Sequence, residues 1–562
     1  MIPEERQTFL GFDLSTQKLK AIQLNAQLEV LVHAEVKFDT DLPEFRTTGG
    51  VNHVGLDKKQ EFFVQPVMWV KALDMVLDRL VVQGADLGTV VAVSGSAQQH
   101  GSLYWTRHGI ETLKKLDPDK FLHCQIDDSA FATTRTPIWM DNSTQKQCIE
   151  MEEAIGGRHV MVEVTGSKCY ARFTGPQIRK MYQMRDEAYK HTERISLVSS
   201  FLASMFLGDV APIDFSDASG MNLFDINERR WSDLCLNACA PDLGEKLGDP
   251  VPTSTVIGNI GTFFVQRYGF PSDCRVIACT GDNPSALAGM VIGTDWLAMS
   301  LGTSDTIMMG LQKPPHLDEG HVLVHPTAEG FMGLLCFRNG SLVRDIFKRS
   351  EANNNWEYFS EFLDSTPRGN FGNMALHFQT KEIIPACKGV LRWNKLSSSD
   401  SEISMKGVTK FGSPQTEVRA LIEGQMLHRK AVASDMGFSF GETTKILATG
   451  GASNNKSILQ VVSDVFNAPV YTQKTAEAAL HGAAFRAAYG HYMMTKAATI
   501  SKAGDENAKI LTYHDFILNF VIKNTQKVCE PSKDAFDVYE PMIARYREMV
   551  NVLMKIQDQD GH

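Results

Sequence analysis

One order of elements occurs twice in this chain, and it constrains the fold more than any single residue does. Thr8 to Leu14, Lys18 to Leu24 and Leu28 to Phe38 read as three strands. Pro66 to Val82 carries apolar residues at helical spacing, and Thr89 to Val93 is an apolar strand. In the second half Trp296 to Gly302, Thr306 to Leu311 and Phe331 to Phe337 read as strands. Glu417 to Ser434 follows as a helix, Lys445 to Thr449 as a strand and Ser457 to Phe466 as a helix. Strand-strand-strand-helix-strand-helix, repeated, predicts two α/β domains of one design. Similarity between the copies is confined to two turns, Phe12-Asp13-Leu14-Ser15-Thr16 and Leu301-Gly302-Thr303-Ser304-Asp305.

With 562 residues the chain is too long for one core. The natural division is 1–292 and 293–562, with 39–59, 340–412 and much of 102–250 as additions to the repeated plan. Ile195 to Leu207 and the alanine-rich Ala476 to Met493 read as helices. After residue 500 the sequence is polar and charged, with one more helix near Pro541 to Ile556. A net charge of −10 argues against a nucleic-acid or anionic-membrane partner, so anionic ligands must be held by local features. The ten cysteines show no zinc spacing and read as free thiols of a reducing compartment. The acidic start Met1 to Arg6 leads directly into a strand and does not resemble a signal peptide, and no apolar stretch is long enough to span a bilayer. A cytoplasmic location is expected.

Each repeated turn joins two strands and is rich in Gly, Ser and Thr. Such turns present N–H groups and hydroxyls that suit phosphate. Two of them in duplicated domains predict a polyphosphate gripped from both sides, with Asp13 facing a bridging metal. Lys20 would add positive charge there if it points to that face, and is otherwise a solvated strand lysine. Gly450-Gly451 stands between a strand and a helix N-terminus, where backbone without side chains lets a nucleotide approach. The segment Gly450 to Ser457 imitates a P-loop, but Asn455 stands where that motif requires glycine. Gln98-Gln99-His100 ends a strand with an amide and an imidazole, a pairing that suits sugar hydroxyls. Thr280-Gly281-Asp282-Asn283-Pro284 reads as strand, turn, helix. Asn283 is the expected N-cap before Pro284, which leaves Asp282 at a strand tip without a structural duty and makes it the candidate catalytic base.

These residues together resemble the FGGY carbohydrate kinases, a family of the ribonuclease H-like, actin-type ATPase superfamily. The likeness runs through Gly11 to Gln17, Ser94 to Gly101, Trp139-Met140-Asp141, Phe173-Thr174-Gly175, Ser216 to Asn222, Thr280 to Pro284, Ser300 to Asp305 and Ala448 to Asn455. It is nearest to the eukaryotic pentulose-kinase branch. The resemblance implies two ribonuclease H-like domains with an interdomain cleft, and transfer of the γ-phosphoryl group of ATP, with Mg2+, to the terminal hydroxyl of D-xylulose. It implies Asp282 as base, with Gln99, His100, Arg172, Asp282 and Asn283 around the sugar. Trp356, Gly450, Gly451 and Asn454 match the nucleotide side, and Asp13, Thr16, Gln17, Thr303 and Ser304 the phosphates, with Asp13 toward the metal. One departure is Ser199-Ser200-Phe201, where bacterial members often carry a lysine–aspartate pair. Two other readings remain open on the sequence: a kinase of another polyol, such as ribulose or glycerol, and an actin-like nucleotide-driven binding protein.

Overall fold

The computed structural model describes residues 2–55, 61–290, 293, 295–315, 319–394, 408–473, 477–503 and 510–560. The end of the first predicted insertion (56–59), part of the second (395–407) and Ala476 lie outside these residues.

In chain order, strands β1 (Thr8–Leu14), β2 (Lys18–Leu24) and β3 (Val30–Lys37) precede helix α1 (Pro66–Val82) and β4 (Val90–Ala97). Then come α2 (Val198–Leu207), β5 (Val256–Asn259), β6 (Arg275–Ile277), β7 (Thr280–Gly281) and α3 (Asp282–Met290). The later part holds β8 (Trp296–Leu301), β9 (Asp305–Leu311), β10 (Phe331–Phe337), α4 (Ser341–Glu351), α5 (Trp356–Ser365) and α6 (Pro414–Asp435). It continues with β11 (Lys445–Thr449), α7 (Lys456–Phe466), β12 (Val470–Gln473), α8 (Ala478–Ala503), α9 (Tyr513–Asn524), β13 (Thr525–Cys529) and α10 (Ala535–Asp560).

Two compact units result. The first is Met1–Val291 with Val322–Gly330 and Glu477–Ile522, and the second is Ile292–His321 with Phe331–Ala476 and Lys523–His562. In the first unit the strands lie in the order β5-β6-β4-β1-β2-β3, with β7 also paired to β4. β1 runs antiparallel to β2 and parallel to β4. Every residue of β1 is buried, as a central strand covered on both faces requires. One cover is α1, whose Trp69, Leu73, Val76, Leu77 and Leu80 enter the core with Phe12 and Phe201. The other is α8, whose alanines let it lie against β1 so closely that Gly11 faces the backbone of Ala484. Arg486 of α8 donates to the carbonyls of Ala278 (2.7 Å) and Gly95 (2.6 Å).

The second unit repeats the plan: the order β10-β9-β8-β11-β12-β13 has β8 antiparallel to β9 and parallel to β11. Both units therefore place a three-strand meander beside parallel strands. Beyond a plain cut at residue 292, Val322–Gly330, α8 and most of α9 also group with the first unit. Arg194–Leu197 is a strand, so the predicted helix starts only at Val198. Eight of the ten cysteines are buried. Among the described residues no helix is long and apolar enough to cross a membrane.

Candidate active site

In the first unit three strand ends come into register. Asp13 of β1 and Thr280 of β7 both stand opposite Ser96 of β4. Asp13 and Asp282 thus leave neighbouring strand tips on either side of β4. The buried Asp13 carboxylate accepts hydrogen bonds from Ser15 Oγ at 2.6 Å and Ser96 Oγ at 3.1 Å. Lys20 pairs with Asp13 across β1 and β2, and its Nζ lies 3.8 Å from Asp13 and 3.0 Å from Glu477. Lys20 therefore does point to this face. Burial raises the Asp13 carboxyl above the usual carboxylate range against the pull of Ser15, Lys20 and Ser96. In the turn beyond, Thr16 Oγ1 accepts from the Trp139 indole N–H at 2.9 Å, and the carbonyl of the exposed Gln17 accepts from Phe38 N–H at 3.0 Å. The first insertion supports this turn. Asp39 holds the N–H groups of Gly49 (2.7 Å) and Gly50 (2.9 Å), and Gly50 lies against the Thr16 carbonyl.

Helix α3 begins at Asp282, not after Asn283. Asn283 therefore does not act as the predicted N-cap. Its side-chain N–H groups go to Gln99 Oε1 (2.9 Å) and Asp282 Oδ1 (3.2 Å). Asp282 Oδ1 also accepts the Asn283 backbone N–H at 2.8 Å, so this carboxylate has the structural duty that its sequence position hid. Burial first, and the negative Asp13 second, push the Asp282 carboxyl up to about 7.

His100 follows β4 with a φ of 71°, a left-handed conformation uncommon outside glycine and found disproportionately at functional positions. Its Nδ1 lies 2.9 Å from the Gly220 carbonyl. A carbonyl only accepts, so Nδ1 carries the proton and Nε2 keeps a lone pair. Burial, reinforced by Arg172, pulls the imidazole down to about 3 and keeps it neutral. The ring stacks on Phe173 at 4.2 Å, and Arg172 lies 5.6 Å from the centre of that same ring and 4.8 Å from that of Tyr170. Gln99, Asn283 and Asp282 are joined by hydrogen bonds, and His100 and Arg172 share the Phe173 ring. Gln99 Nε2–H reaches the buried Asp217 at 3.2 Å, and Ser199 Oγ donates to Asp217 at 2.5 Å. The Ser199 departure noted in the sequence thus has a partner. Sequence reasoning gave Asp217 and Ser199 no individual role; it reached Asp217 only through the polar loop Asp214 to Asn222, expected to discriminate between sugars.

In the second unit the exposed Thr303 and Ser304 join β8 to β9. Behind this turn Asp305 accepts from Arg344 (2.7 Å) and Arg429 (3.0 Å), all three fully buried. Arg344 also donates to the Gly302 carbonyl at 3.4 Å. Gly450, with φ of 82°, packs on this same turn: a Cβ there would fall 2.8 Å from the Leu301 carbonyl oxygen. Gly450 is thus required by backbone conformation and by close approach, whereas a Cβ on Gly451 would meet no atom within 4 Å. Gly451–Asn454 forms a 3-10 turn and Asn455 caps α7 by accepting from Ile458 N–H at 3.0 Å, so the P-loop imitation is not one. A cavity of about 870 Å³ opens here, lined by Trp356, Glu361, Gly451, Asn454 and Lys456 among others. Trp356 is 38% exposed and has Lys348 Nζ 5.0 Å from the centre of its ring.

Two family models cover this architecture. The model of the FGGY carbohydrate kinase N-terminal domain matches residues 126–289, and that of the C-terminal domain residues 297–491. The chain belongs to the FGGY family of carbohydrate kinases, and is a carbohydrate kinase. It is 48% identical over 487 residues to a xylulose kinase of Rattus norvegicus, covering 86% of this chain and 88% of that one. It is 44% identical over 490 residues to xylulose kinase 2 of Arabidopsis thaliana, covering 86% and 87%. A ligand-bound xylulose kinase from Lactobacillus acidophilus has the same fold, with a TM-score of 0.73 at 16% identity over 98% of each chain. A Plasmodium falciparum glycerol kinase with ADP gives 0.72 at 14% identity, over 97% of this chain and 98% of that one.

Proposed function

We propose that this chain phosphorylates D-xylulose with ATP, giving D-xylulose 5-phosphate and ADP, and that Asp282 is the base. The observation that carries the choice of sugar is the 48% identity to the rat xylulose kinase over most of both chains. The site chemistry supports it. A neutral His100 offers a hydroxyl an acceptor at Nε2, while Arg172 and the Asn283 amide are donors suited to sugar oxygens. An actin-like binding protein would need neither.

In this reading the attacking hydroxyl lies against Asp282, whose carboxyl titrates close to neutral pH, where a general base works best. Asp282 orients the hydroxyl oxygen and takes its proton as the new P–O bond forms and the bond to ADP breaks. Lys20, Thr16 and Gln17 on the first unit would meet phosphate oxygens, and Thr303 and Ser304 form the turn of the second unit suited to the same role. Asp13 suits a hydrated cation better than a closed cage. It is one carboxylate with lone pairs beyond its two serine hydrogen bonds, and among the described residues no group of three or more His, Cys, Asp or Glu could hold a metal. Asp13 would hold Mg2+ through water, and the ion, when bound, neutralises phosphate charge.

A panel of D-xylulose, D-ribulose, L-ribulose and glycerol, read by ADP release, tests the assignment. D-xylulose should give the highest kcat/KM. A higher value for another member of the panel would transfer the assignment to that sugar. Trp356 walls the nucleotide cavity, and base stacking on an aromatic ring is worth about 1–3 kcal/mol. Trp356→Ala should therefore raise the KM for ATP about 5- to 150-fold, with the KM for sugar unchanged. An unchanged KM for ATP would take Trp356 out of the nucleotide site.

A further inference from the structure

We propose that Asp217 is a positioning residue for the base, acting through the amides of Gln99 and Asn283. The proposal rests on the reading of Asp282 as the base.

The contacts form one chain. Asp217 Oδ1 accepts from Gln99 Nε2–H (3.2 Å), Gln99 Oε1 accepts from Asn283 Nδ2–H (2.9 Å), and Asp282 Oδ1 accepts from Asn283 Nδ2–H (3.2 Å). A side-chain amide has a donor end and an acceptor end, so its orientation carries direction. Asp217 Oδ1 can only accept, which turns the Gln99 N–H inward to Asp217 and its carbonyl outward. That carbonyl in turn demands N–H from Asn283. Asn283 then has its second N–H for Asp282, and its carbonyl oxygen is kept away from the carboxylate. Without Asp217 the Gln99 amide can flip, Asn283 can follow, and an amide oxygen would face Asp282 in place of a donor.

The packing is specific to this arrangement. A Cβ on Gly281 would fall 2.5 Å from Gln99 Cγ and 2.6 Å from Asp217 Oδ1, so the backbone beside the base lies directly on the relay. The strand tip is held a second time where Thr280 Oγ1 donates to Asp214 at 2.9 Å. Protonation of Asp217 leaves the direction unchanged. Burial and the neighbouring Asp214 push its carboxyl up to about 8, and the proton then belongs on Oδ2, the oxygen 2.5 Å from Ser199 Oγ. Oδ1 still accepts from Gln99. Asparagine at this position reproduces the protonated form: Oδ1 accepts from Gln99 and Nδ2–H donates to Ser199.

The test compares Asp217→Asn, Asp217→Leu and Gln99→Met with wild type and Asp282→Asn, with ATP and D-xylulose each varied up to saturation. Asp217→Leu and Gln99→Met should each lower kcat about 10- to 100-fold, the order expected for loss of orientation at the reacting group. Asp217→Asn should stay within about threefold of wild type, and all three should leave the KM for ATP unchanged. In Asp217→Leu the acid limb of kcat/KM should move to higher pH, because Asp282 loses a donor that favours its charged form. A purely structural role would lower the melting temperature and leave that limb in place. Wild-type kcat in Asp217→Leu, or an Asp217→Asn as impaired as Asp217→Leu, overturns the proposal. If Asp217→Leu does not fold, Gln99→Met decides: wild-type kcat there also overturns it. An active Asp282→Asn would instead overturn the base assignment on which the proposal stands.

Discussion

Asp282→Asn is expected to lower kcat by about 10²- to 10⁴-fold, the usual contribution of a positioned base, while the KM values for ATP and sugar stay within about threefold. Asparagine keeps the shape of the side chain, and its Oδ1 can still accept the Asn283 N–H that holds the carboxylate at 2.8 Å. What is lost is the ability to take a proton. Steady-state rates with each substrate varied, together with nucleotide titrations, check both halves of the expectation. A variant that turns over at the wild-type rate would remove Asp282 from the role. The pH dependence is an independent check. The base works ionised, and its carboxyl is held at about 7, so wild-type kcat/KM should rise with pH through about 7 and level off above it. The same carboxyl acts on stability in the opposite sense. Its folded value lies above the ordinary 3.8, so its contribution is fully present at low pH and is lost as pH rises through about 7. Asp282→Asn should accordingly melt above wild type at pH 8, and the difference should shrink as pH falls toward 4. This is the trade expected where an active site keeps a carboxylate out of water.

Local pattern carried much of the fold. Pro66–Val82, Phe331–Phe337 and Lys445–Thr449 were legible to their observed ends, because a helical stripe or an apolar run stops there at turn residues. The duplicated meander was legible for the same reason, and with it the strand tips that carry Asp13, His100 and Asp282. The remainder depends on contacts far apart in sequence. Nothing local shows that α8 returns to cover β1, which lies at the other end of the chain. Helix α9 is itself apolar, with Phe516, Ile517, Phe520 and Val521 at helical spacing, and was obscured only by the polar sequence on either side of it; Ile517, Phe520 and Val521 enter the core. β13 is an edge strand with Gln526 and Lys527 exposed, so it lacks an apolar signature. Within the site, the residue before a proline reads as a cap by propensity. The nearby Gln99 carbonyl, 184 positions earlier in the chain, directs the Asn283 amide elsewhere. Lys20 could not be assigned a face until β2 was paired with β1 in the register that sets it across from Asp13.

The placement of the base also depends on a contact between two helices whose backbones meet at glycines. A Cβ on Gly482 of α8 would fall 1.8 Å from the Ser285 carbonyl oxygen of α3 and 2.8 Å from the Gly289 nitrogen. Gly289 faces the Ala478 carbonyl in the same way, at 1.9 Å. Ser285 Oγ then donates to the Ala479 carbonyl at 2.7 Å, which fixes the helices in rotation as well as distance. Backbone cannot withdraw as a side chain can, so any residue larger than glycine at 482 must part the helices by about 1.5 Å to reach ordinary contact distance. Overpacking of this kind costs about 1–3 kcal/mol or more, so Gly482→Val should lower the melting temperature by several degrees. The functional effect should be larger. Asp282 is the first residue of α3 and Ser285 lies within its first turn, so a shift at Ser285 moves the carboxylate. A displacement of about 1 Å at a reacting group can lower a rate about 100-fold. Gly482→Val, and more mildly Gly482→Ala, should therefore lose kcat well beyond what their melting temperatures imply when assayed where they remain folded. Gly441→Ala, where a Cβ meets no atom within 4 Å, should match wild type in both measurements. A folded Gly482→Val with wild-type kcat would show that the crossing of α3 and α8 does not set the position of Asp282.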